Sequence, residues 1–468
     1  MKARNIIIMG AGPAGLAAAY ELSKNNYECK IYEKDTIVGG ISRTVEYEGY
    51  YFDIGGHRFF TKIKEVNDLW HEILGDKFMK RPRLSRIYYN NIFFNYPLKP
   101  MNALFGLGIF NTISIIISYF KSKMFPYKDE KTLEQWVSNR FGKKLFLIFF
   151  KTYTEKVWGI PCSKIGAEWA AQRIKGLSLM TAIKNALLPN NNGMIKTLID
   201  QFNYPEYGPG MMYNEMANKI ENMNNKIYKN SEVTRINHED FIIKSVEINK
   251  NETVVADEFI SSIPITDAVK RMNPGPDDKI LTACDNLLYR DFILVGIIVN
   301  KKNLFPDNWI YVHSPEVKLG RIQNVKNWSP AMVADENKTT LGLEYFCYEN
   351  DELWNIKDEE LIQFAIEEAE KIGILNSADV EDGMVVRMKK CYPTYQIGYE
   401  KNLNIIKSYL NQFKNFQLVG RYGMYKYNNM DHSILTGLYA AKNIMGGNYN
   451  IWDINTEEQY HEESDEQI

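Results

Sequence analysis

A short glycine-rich turn near the N-terminus constrains the fold of this chain more than any other feature. The apolar run Ile6–Met9 is followed at once by Gly10–Gly15, which has glycine at its first, third and sixth positions. A second apolar run, Cys29–Tyr32, ends at Glu33. A strand, a glycine turn, a helix, a second strand and an acid in this order form the βαβ unit that binds dinucleotides. The sequence therefore predicts a dinucleotide site at the N-terminus.

The residues of this motif have separate physical tasks. Gly10 lets the chain turn, Gly12 lets the backbone approach a pyrophosphate, and Gly15 lets the helix pack closely. The pyrophosphate charge is then stabilised by the helix N-terminus. Glu33 can accept hydrogen bonds from both ribose hydroxyls and would repel a 2′-phosphate, which disfavours NADP at this site.

The charge balance excludes one broad class of partner. The 468 residues carry a formal net charge of −2 with 24% charged residues. Such a chain has no basic field that would attract nucleic acid. Any anionic substrate must therefore be bound by local arginines.

The five cysteines indicate a reducing compartment. They are widely separated and show no paired metal-ligand spacing: Cys29, Cys162, Cys284, Cys347 and Cys391. We therefore predict free thiols and no metal site. The N-terminal apolar run is only one strand long and continues into the glycine turn, unlike a signal peptide, so we expect a cytoplasmic protein.

One segment raises the question of membrane contact. Met101–Phe120 is mostly apolar and is flanked by Lys99, Lys121 and Lys123. Its length would span a bilayer. However, polar residues interrupt it between Asn111 and Ser118, and no second span follows. We favour a buried or interfacial helix and keep peripheral membrane contact through residues 101–120 open.

Residue periodicity divides the rest of the chain. Ser85–Tyr96 alternates aromatic and polar residues like a hairpin, with Asn90-Asn91 as its turn. Helical periodicity follows, and later short apolar runs indicate an antiparallel sheet. The predicted α/β fold has a discontinuous Rossmann-like domain over 1–80, 205–265 and 415–450, a helical insertion over 100–200, and an antiparallel β-sheet substrate domain over 81–99 and 266–414. The acidic end, residues 451–468, is expected to be disordered.

Further motifs extend the similarity beyond dinucleotide binding. They are Gly39-Gly40, Phe52–His57, Gly208–Met212 and Gly420-Arg421. Together they resemble the FAD-binding pattern of the amine oxidase and phytoene desaturase superfamily. The resemblance implies that the Rossmann-like domain binds FAD rather than NAD.

Within that superfamily the chain resembles the UDP-galactopyranose mutase family, particularly its eukaryotic type, from about Asn5 to Gly447. Five local matches carry the similarity: Phe52–Phe60; Val157–Pro161 with Glu168–Arg173; Gly320-Arg321 with Asn327–Pro330; Tyr392–Thr394; and Gly420–Ser433. The resemblance implies a mutase that interconverts NDP-hexopyranose and NDP-hexofuranose for cell-surface polysaccharides containing galactofuranose. In that family reduced flavin N5 attacks the anomeric carbon, and NAD(P)H is a candidate reductant of the FAD.

The matched motifs supply the expected site residues. The catalytic set is His57, Arg173 and Arg321. The substrate-binding set is Tyr96, Trp158, Arg173, Tyr311, Arg321, Tyr392 and Tyr427. The FAD-binding set is Gly10, Gly12, Pro13, Ala14, Gly15, Glu33, Lys34, Gly39, Gly40, Gly56, His57, Val233, Gly420, Arg421, Asn429, Met430 and Asp431.

Some of these residues have a simpler structural alternative. Arg173 and Arg321 match the family's two diphosphate-binding arginines, and a guanidinium fork suits phosphate oxygens. His57 matches a histidine beside the isoalloxazine, but a histidine that only caps its loop is the alternative. Asp431 is either part of the flavin site or an N-cap at the start of the last helix.

Two departures from the family pattern concern the nucleotide sugar. The eukaryotic pattern Tyr-Pro-Phe-Gln is here Tyr96–Lys99, and lysine has no acceptor for the uracil N3–H. The asparagine expected before Val157 is Thr154. The nucleotide and the sugar therefore stay open. The oligomeric state, monomer or homo-oligomer, also stays open.

The alternative function is a FAD-dependent oxidase or desaturase of the amine oxidase or protoporphyrinogen oxidase type, which Met101–Phe120 would favour.

Overall fold

The computed structural model describes residues 4–96, 98, 100–167 and 201–455. Its strands are Ile6–Met9, Cys29–Tyr32, Thr44–Tyr47, Tyr50–Asp53, Phe78–Pro82, Ser85–Tyr89, Ile92–Asn95, Gln201–Pro205, Lys226–Tyr228, Val233–Glu239, Ile242–Ile248, Glu252–Val255, Glu258–Ser261, Met272–Asn273, Tyr289–Val299, Trp309–Val312, Arg321–Asn324, Thr339–Cys347, Val380–Pro393 and Phe416–Leu418. Its α-helices are Pro13–Lys24, Lys64–Leu74, Pro100–Leu107, Ile109–Met124, Leu133–Phe141, Lys143–Leu145, Thr152–Trp158, Gly210–Asn222, Ile265–Lys270, Asp278–Asp285, Val325–Trp328, Glu352–Asn355, Asp358–Lys371, Tyr399–Leu410, Gly420–Gly423 and Met430–Ile444.

A parallel sheet of five strands forms the nucleotide-binding half of the described residues. Its order is Phe416–Leu418, Glu258–Ser261, Ile6–Met9, Cys29–Tyr32 and Lys226–Tyr228. The central strand is wholly buried, as its unbroken apolar run predicts for a sheet covered on both faces. Three separate stretches of chain contribute strands, so the predicted discontinuous α/β fold is confirmed.

A second, larger sheet of seven described strands carries the other half. Its order is Val380–Pro393, Tyr289–Val299, Thr339–Cys347, Arg321–Asn324, Trp309–Val312, Ser85–Tyr89 and Ile92–Asn95. All neighbours are antiparallel except Trp309–Val312 and Ser85–Tyr89, which run parallel. The predicted antiparallel sheet is therefore wrong at this pair. The two strands are joined by a long stretch of chain rather than a hairpin turn, so their relative direction is not set locally.

The edge hairpin has the turn that its sequence predicts. Asn90 and Asn91 adopt φ values of 49° and 60° between the two edge strands. A two-residue turn with both residues in the left-handed region matches the twist of the flanking strands, and asparagine tolerates that conformation.

The described part of the predicted helical insertion packs beside the larger sheet. Ile115 and Trp136 from its helices share a core cluster with Phe292 of that sheet. Residues 168–200 of the predicted range 100–200 lie outside the described residues. Among the helices of the described part of the chain, none combines the length and the apolar character needed to cross a bilayer.

Two helices within the predicted substrate domain contact the nucleotide-binding half. Residues of Asp278–Asp285 and Tyr399–Leu410 share a core cluster with Ile7 and Phe259 of the parallel sheet. Their buried apolar residues belong to that cluster, which sequence periodicity alone does not reveal.

The start of the predicted acidic tail is ordered. Ile451 and Ile454 are buried in the core cluster that contains Ile6 and Ile8. The expectation of disorder is therefore wrong for residues 451–455, because two apolar side chains anchor them. Residues 456–468 lie outside the described residues.

Candidate functional site

The glycine turn has the geometry that its sequence predicts. Gly10 adopts a φ of +95°, and its N–H donates to the carbonyl of Tyr32 at 2.8 Å. A Cβ on Gly15 would lie 2.0 Å from the Gly10 carbonyl oxygen. A Cβ on Gly12 would meet only the Cα of Gly40, at 3.9 Å. Gly15 is therefore required by the fold, whereas the position of Gly12 has room that a ligand can use.

The helix that follows has an N-terminus suited to an anion. Pro13–Lys24 begins after Gly12, which contributes no side-chain cap. The first N–H groups of a helix have no intrahelical partner, and they carry partial positive charge. Ala14 lies in this first turn and is buried.

Glu33 lies at the end of the second strand and is 7% exposed. Its carboxylate accepts hydrogen bonds from the backbone N–H groups of Ala11 at 2.7 Å and Asp35 at 3.0 Å. Burial raises the pKa of Glu33, and these two hydrogen bonds oppose that shift. The side chain of Lys34 is exposed, and Val233 is buried at the start of its strand.

Arg43 is a residue of this region that sequence reasoning missed. It follows Gly39 and Gly40, and its guanidinium pairs with Asp35 at 2.8 Å. The Nε atom of Arg43 is buried without a hydrogen-bond partner among the described residues. The sequence signal that could have identified Arg43 is its position shortly after the glycine pair Gly39-Gly40.

The C-terminal motif closes against the same turn. Gly420 adopts a φ of +76°, and a Cβ there would approach the Ala14 side chain to 3.0 Å. The helix Met430–Ile444 begins after Asn429, which is its N-cap residue. Asp431 lies in the first turn and accepts a hydrogen bond from the Thr61 hydroxyl at 3.0 Å. The alternative in which Asp431 is the N-cap is therefore wrong, because Asn429 holds the extended backbone that precedes the helix.

A cavity lies where the two halves of the molecule meet. Its lining combines residues of the glycine-rich motifs with residues of the larger sheet: Ile41, Ile54, Gly55, Gly56, His57, Phe292, Trp309, Arg321, Cys391, Tyr392, Arg421 and Tyr427. We call this space the central cavity. Residues far apart in the chain therefore form one site.

His57 presents a neutral ring to the central cavity. Burial and then the nearby charge of Arg421 lower the pKa of His57 to about 3. Its Nδ1 atom is buried and has no hydrogen-bond partner among the described residues. Next to it, a Cβ on Gly56 would overlap the Trp309 ring at 1.1 Å. Gly56 therefore lets the loop lie directly against that indole.

Arg321 is held between an acid and a phenol. Its Nε donates to the Glu344 carboxylate, and its Nη2 donates to the Tyr392 hydroxyl at 2.9 Å. Burial lowers the pKa of Arg321, but the Glu344 carboxylate and the neighbouring tyrosines together raise it well above its usual range, so the guanidinium stays protonated. The guanidinium also lies 4.9 Å from the centre of the Trp309 ring.

Of the predicted substrate-binding aromatics, Tyr392 and Tyr427 line the central cavity together with Arg321. The rings of Tyr392 and Tyr427 stack at 5.9 Å, and Trp158 lies 6.0 Å from Tyr427. Tyr311 is the strand partner of Arg321, and the Tyr96 ring lies 4.7 Å from Tyr311. Burial raises the pKa of Tyr392, which keeps its hydroxyl protonated.

Arg421 belongs to the same cluster. Its Nε donates to the Asn428 carbonyl at 2.9 Å, and its guanidinium lies 4.5 Å from the centre of the Tyr427 ring. The structure thus brings His57, Arg321 and Arg421 to one cavity. Arg173 lies outside the described residues, so its place in the site stays a prediction.

Sequence reasoning missed several residues in and beside the central cavity. Trp309 precedes Tyr311 by two positions on one strand, so the alternation of a strand places both side chains on the same face. That spacing was an available signal. No comparable sequence signal identifies Glu344 and Phe292, because these residues reach the site only through pairing of strands that are distant in the chain.

The family model described as flavin containing amine oxidoreductase matches residues 13–445. The chain belongs to this family. Family membership makes it an enzyme of the FAD-dependent oxidoreductase superfamily.

Individual relatives of the amine oxidoreductase family differ in activity. The coproporphyrinogen III oxidase of Bacillus subtilis (strain 168) is 20% identical over 437 residues, covering 87% of this chain and 91% of the oxidase. A probable UDP-galactopyranose mutase of Klebsiella pneumoniae is 28% identical over 174 residues, covering 36% of this chain and 44% of the mutase. A crystal structure of reduced UDP-galactopyranose mutase has a TM-score of 0.85 at 22% identity, covering 97% of this chain and 98% of that one. At this identity the structural similarity shows the fold alone.

The described residues fit the FAD that membership of this family implies. The helix N-terminus after Gly12 has no side-chain cap, and the backbones of Gly12 and Gly40 lie close together with no side chain of their own beside it. Glu33 is at the position where an acid binds a ribose. The neutral imidazole of His57 lines the central cavity.

Proposed function

We propose that this chain is a FAD-dependent nucleotide-sugar mutase that interconverts NDP-hexopyranose and NDP-hexofuranose. The observation that carries the proposal is the position of Arg321. Its guanidinium donates to Tyr392 in the same cavity that His57 and Arg421 line. A buried cation with phenols beside it suits a diphosphate next to a flavin site.

The arginine and the phenols would act on the leaving diphosphate. A guanidinium fork binds phosphate oxygens through two parallel hydrogen bonds. The hydroxyl groups of Tyr392 and Tyr427 can each donate one hydrogen bond. Donors that are already in place stabilise charge as it develops, without reorganisation during the reaction. The surrounding aromatic rings exclude water and strengthen these interactions.

Glu344 limits what Arg321 can do alone. The ion pair between the two side chains is buried and has no net charge. A diphosphate brings at least two negative charges, so a second cation is needed to balance them. The sequence resemblance assigns that role to Arg173, and Arg421 is a further cation at the cavity.

The cofactor would supply the nucleophile. When bound, reduced FAD would supply electron-rich nucleophilic chemistry for the anomeric carbon. His57 would face it as a neutral ring, since its pKa is lowered to about 3. A neutral imidazole can accept or donate a hydrogen bond without adding charge to the site.

A second candidate function is a FAD-dependent oxidase or desaturase. The match to the coproporphyrinogen III oxidase covers 87% of this chain. Arg321 would also suit a substrate carboxylate, because guanidinium groups bind carboxylates and phosphates alike. Trp309 and Phe292 would then contact an apolar ring system.

One experiment separates the two functions. The purified flavoprotein is reduced once with dithionite without oxygen, and UDP-galactopyranose and a panel of other nucleotide hexoses are added. Chromatography then separates pyranose from furanose forms. Many turnovers per single reduction support the mutase. Oxygen consumption in proportion to a porphyrinogen, an amine or a polyene, with no furanose from any nucleotide sugar, would overturn it and support the oxidase.

A further inference from the structure

The helix Ile109–Met124 exposes an unusually apolar surface. Ile115 and Tyr119 point into the core, at 0% and 5% exposure. The opposite side is also apolar, with Phe110 at 87% and Ile117 at 63% exposure. We call this surface the apolar face and define it by Ile109, Phe110, Ile113, Ile117, Phe120 and Met124.

The spacing of these residues makes the face continuous. Successive members are separated by one, three, four, three and four positions, which places them on one side of a helix. Phe125, directly after the helix, extends the surface at 72% exposure. A large exposed apolar patch of this kind marks an interaction site.

Charge indicates what the face contacts. From Asn91 to Lys128 the sequence contains no acidic residue and four lysines, at 99, 121, 123 and 128. Lys121 and Lys123 are exposed at the end of the helix that carries the apolar face. Lysines beside an apolar helix face attract anionic lipid headgroups. Two copies of this face would instead bring like charges together.

The length of the helix sets its orientation. A helix of 16 residues is about 24 Å long, which is less than the roughly 30 Å of a bilayer core. We propose that the apolar face binds the surface of a bilayer containing anionic lipid, with the helix in the membrane plane. This inference does not depend on which reaction the central cavity catalyses.

The test uses the full-length, FAD-loaded protein and two kinds of vesicle. One kind is pure phosphatidylcholine, and the other contains phosphatidylglycerol as well. We expect cosedimentation with the anionic vesicles, and weaker binding as salt screens the lysines. Phe110→Trp adds a probe within the contact, whose emission should shift to the blue on binding. Equal or absent binding to both kinds of vesicle would overturn the proposal.

Matched variants show whether the apolar face is responsible. Phe110→Glu with Ile117→Glu should abolish vesicle binding and leave flavin content unchanged. The control is Val255→Glu with Ile397→Glu, at sites 70% and 57% exposed elsewhere, which should bind like the original protein. Equal loss in both double variants would overturn the assignment to this face.

The lysines and a second copy provide two further outcomes. Lys121→Gln and Lys123→Gln should each weaken binding to anionic vesicles about fivefold. Light scattering then checks for self-association. A dimer that Phe110→Glu dissociates, in a protein that does not bind vesicles, would assign the face to a second copy and overturn the proposal.

Discussion

The parallel-sheet half and the larger mixed sheet offer different chemical groups to a ligand. In the parallel-sheet half, the glycine turn offers backbone N–H groups at the start of Pro13–Lys24. In the larger sheet, Arg321 and Tyr392 offer side chains held by further side chains. Backbone groups are placed by the fold itself, whereas side chains depend on their neighbours. Substitutions in the two halves should therefore have different effects on the protein.

The largest expected effect comes from removing the carboxylate that pairs with Arg321. Glu344→Ala leaves a buried guanidinium without its carboxylate, so we expect the free energy of unfolding to fall by about 3–5 kcal/mol. Urea unfolding of the FAD-free protein measures it. The control is Glu349→Ala, which removes an exposed ion pair with Lys389 and should cost about 0–1 kcal/mol. Equal losses would show that the larger sheet does not depend on this pair.

The next prediction concerns the guanidinium fork. Arg321→Lys keeps a positive charge beside Glu344 but loses the planar pair of donors. We expect turnover to fall about 10²- to 10³-fold while the flavin absorbance is retained. Arg387→Lys, in the last long strand of the same sheet, is the control and should keep full turnover. Loss of flavin from Arg321→Lys would place Arg321 in the cofactor site instead.

A pair of glycine substitutions tests the parallel-sheet half. Gly15→Ala places a Cβ 2.0 Å from a carbonyl oxygen, so we expect a loss of about 1–3 kcal/mol in stability even without FAD. Gly12→Ala meets only an ordinary contact at 3.9 Å, so the FAD-free protein should keep its stability and bind FAD more weakly. Flavin titration and thermal unfolding separate the two effects. Identical behaviour of the two variants would contradict this division.

The smallest expected effect is on the pH dependence of stability. Burial and the charge of Lys156 lower the pKa of His313 to about 3. Below pH 6.5 the imidazole of His313 is protonated in the unfolded protein but stays neutral in the folded protein. The free energy of unfolding therefore falls as the pH falls from 6.5 toward 3. His313→Phe should reduce that slope by up to about 1.4 kcal/mol per pH unit. Unfolding at pH 7, 6 and 5 measures it, and an unchanged slope would contradict the prediction.

Local patterns predicted the elements of both halves. The buried strand Ile6–Met9 and the turn at Asn90-Asn91 depend on residues that are close in the chain. The parallel pairing of Trp309–Val312 with Ser85–Tyr89 was not predicted, because it joins segments that are far apart. The ordered structure of residues 451–455 was not predicted for the same reason. Ile451 and Ile454 are buried in a core whose other residues are distant in the sequence.

The residues of the candidate site also differ in whether a local pattern predicted them. His57, Arg321 and Tyr392 were found because each lies in a short motif that resembles a known family. Glu344 was missed because nothing near it in the sequence indicates a partner for Arg321. Its contact exists only through the strand register that places Arg321 opposite Glu344.

The sequence by itself determined the dinucleotide motif, because a turn, a helix N-terminus and an acid at the end of a strand are set by residues within one βαβ unit. It also determined that Met101–Phe120, which includes most of the helix Ile109–Met124, is mostly apolar. Only the tertiary structure decided that one side of that helix is exposed, and that Glu344 neutralises Arg321 beside the central cavity. Burial and ion pairing depend on which distant segments pack together, and that information is not contained in any local stretch of the chain.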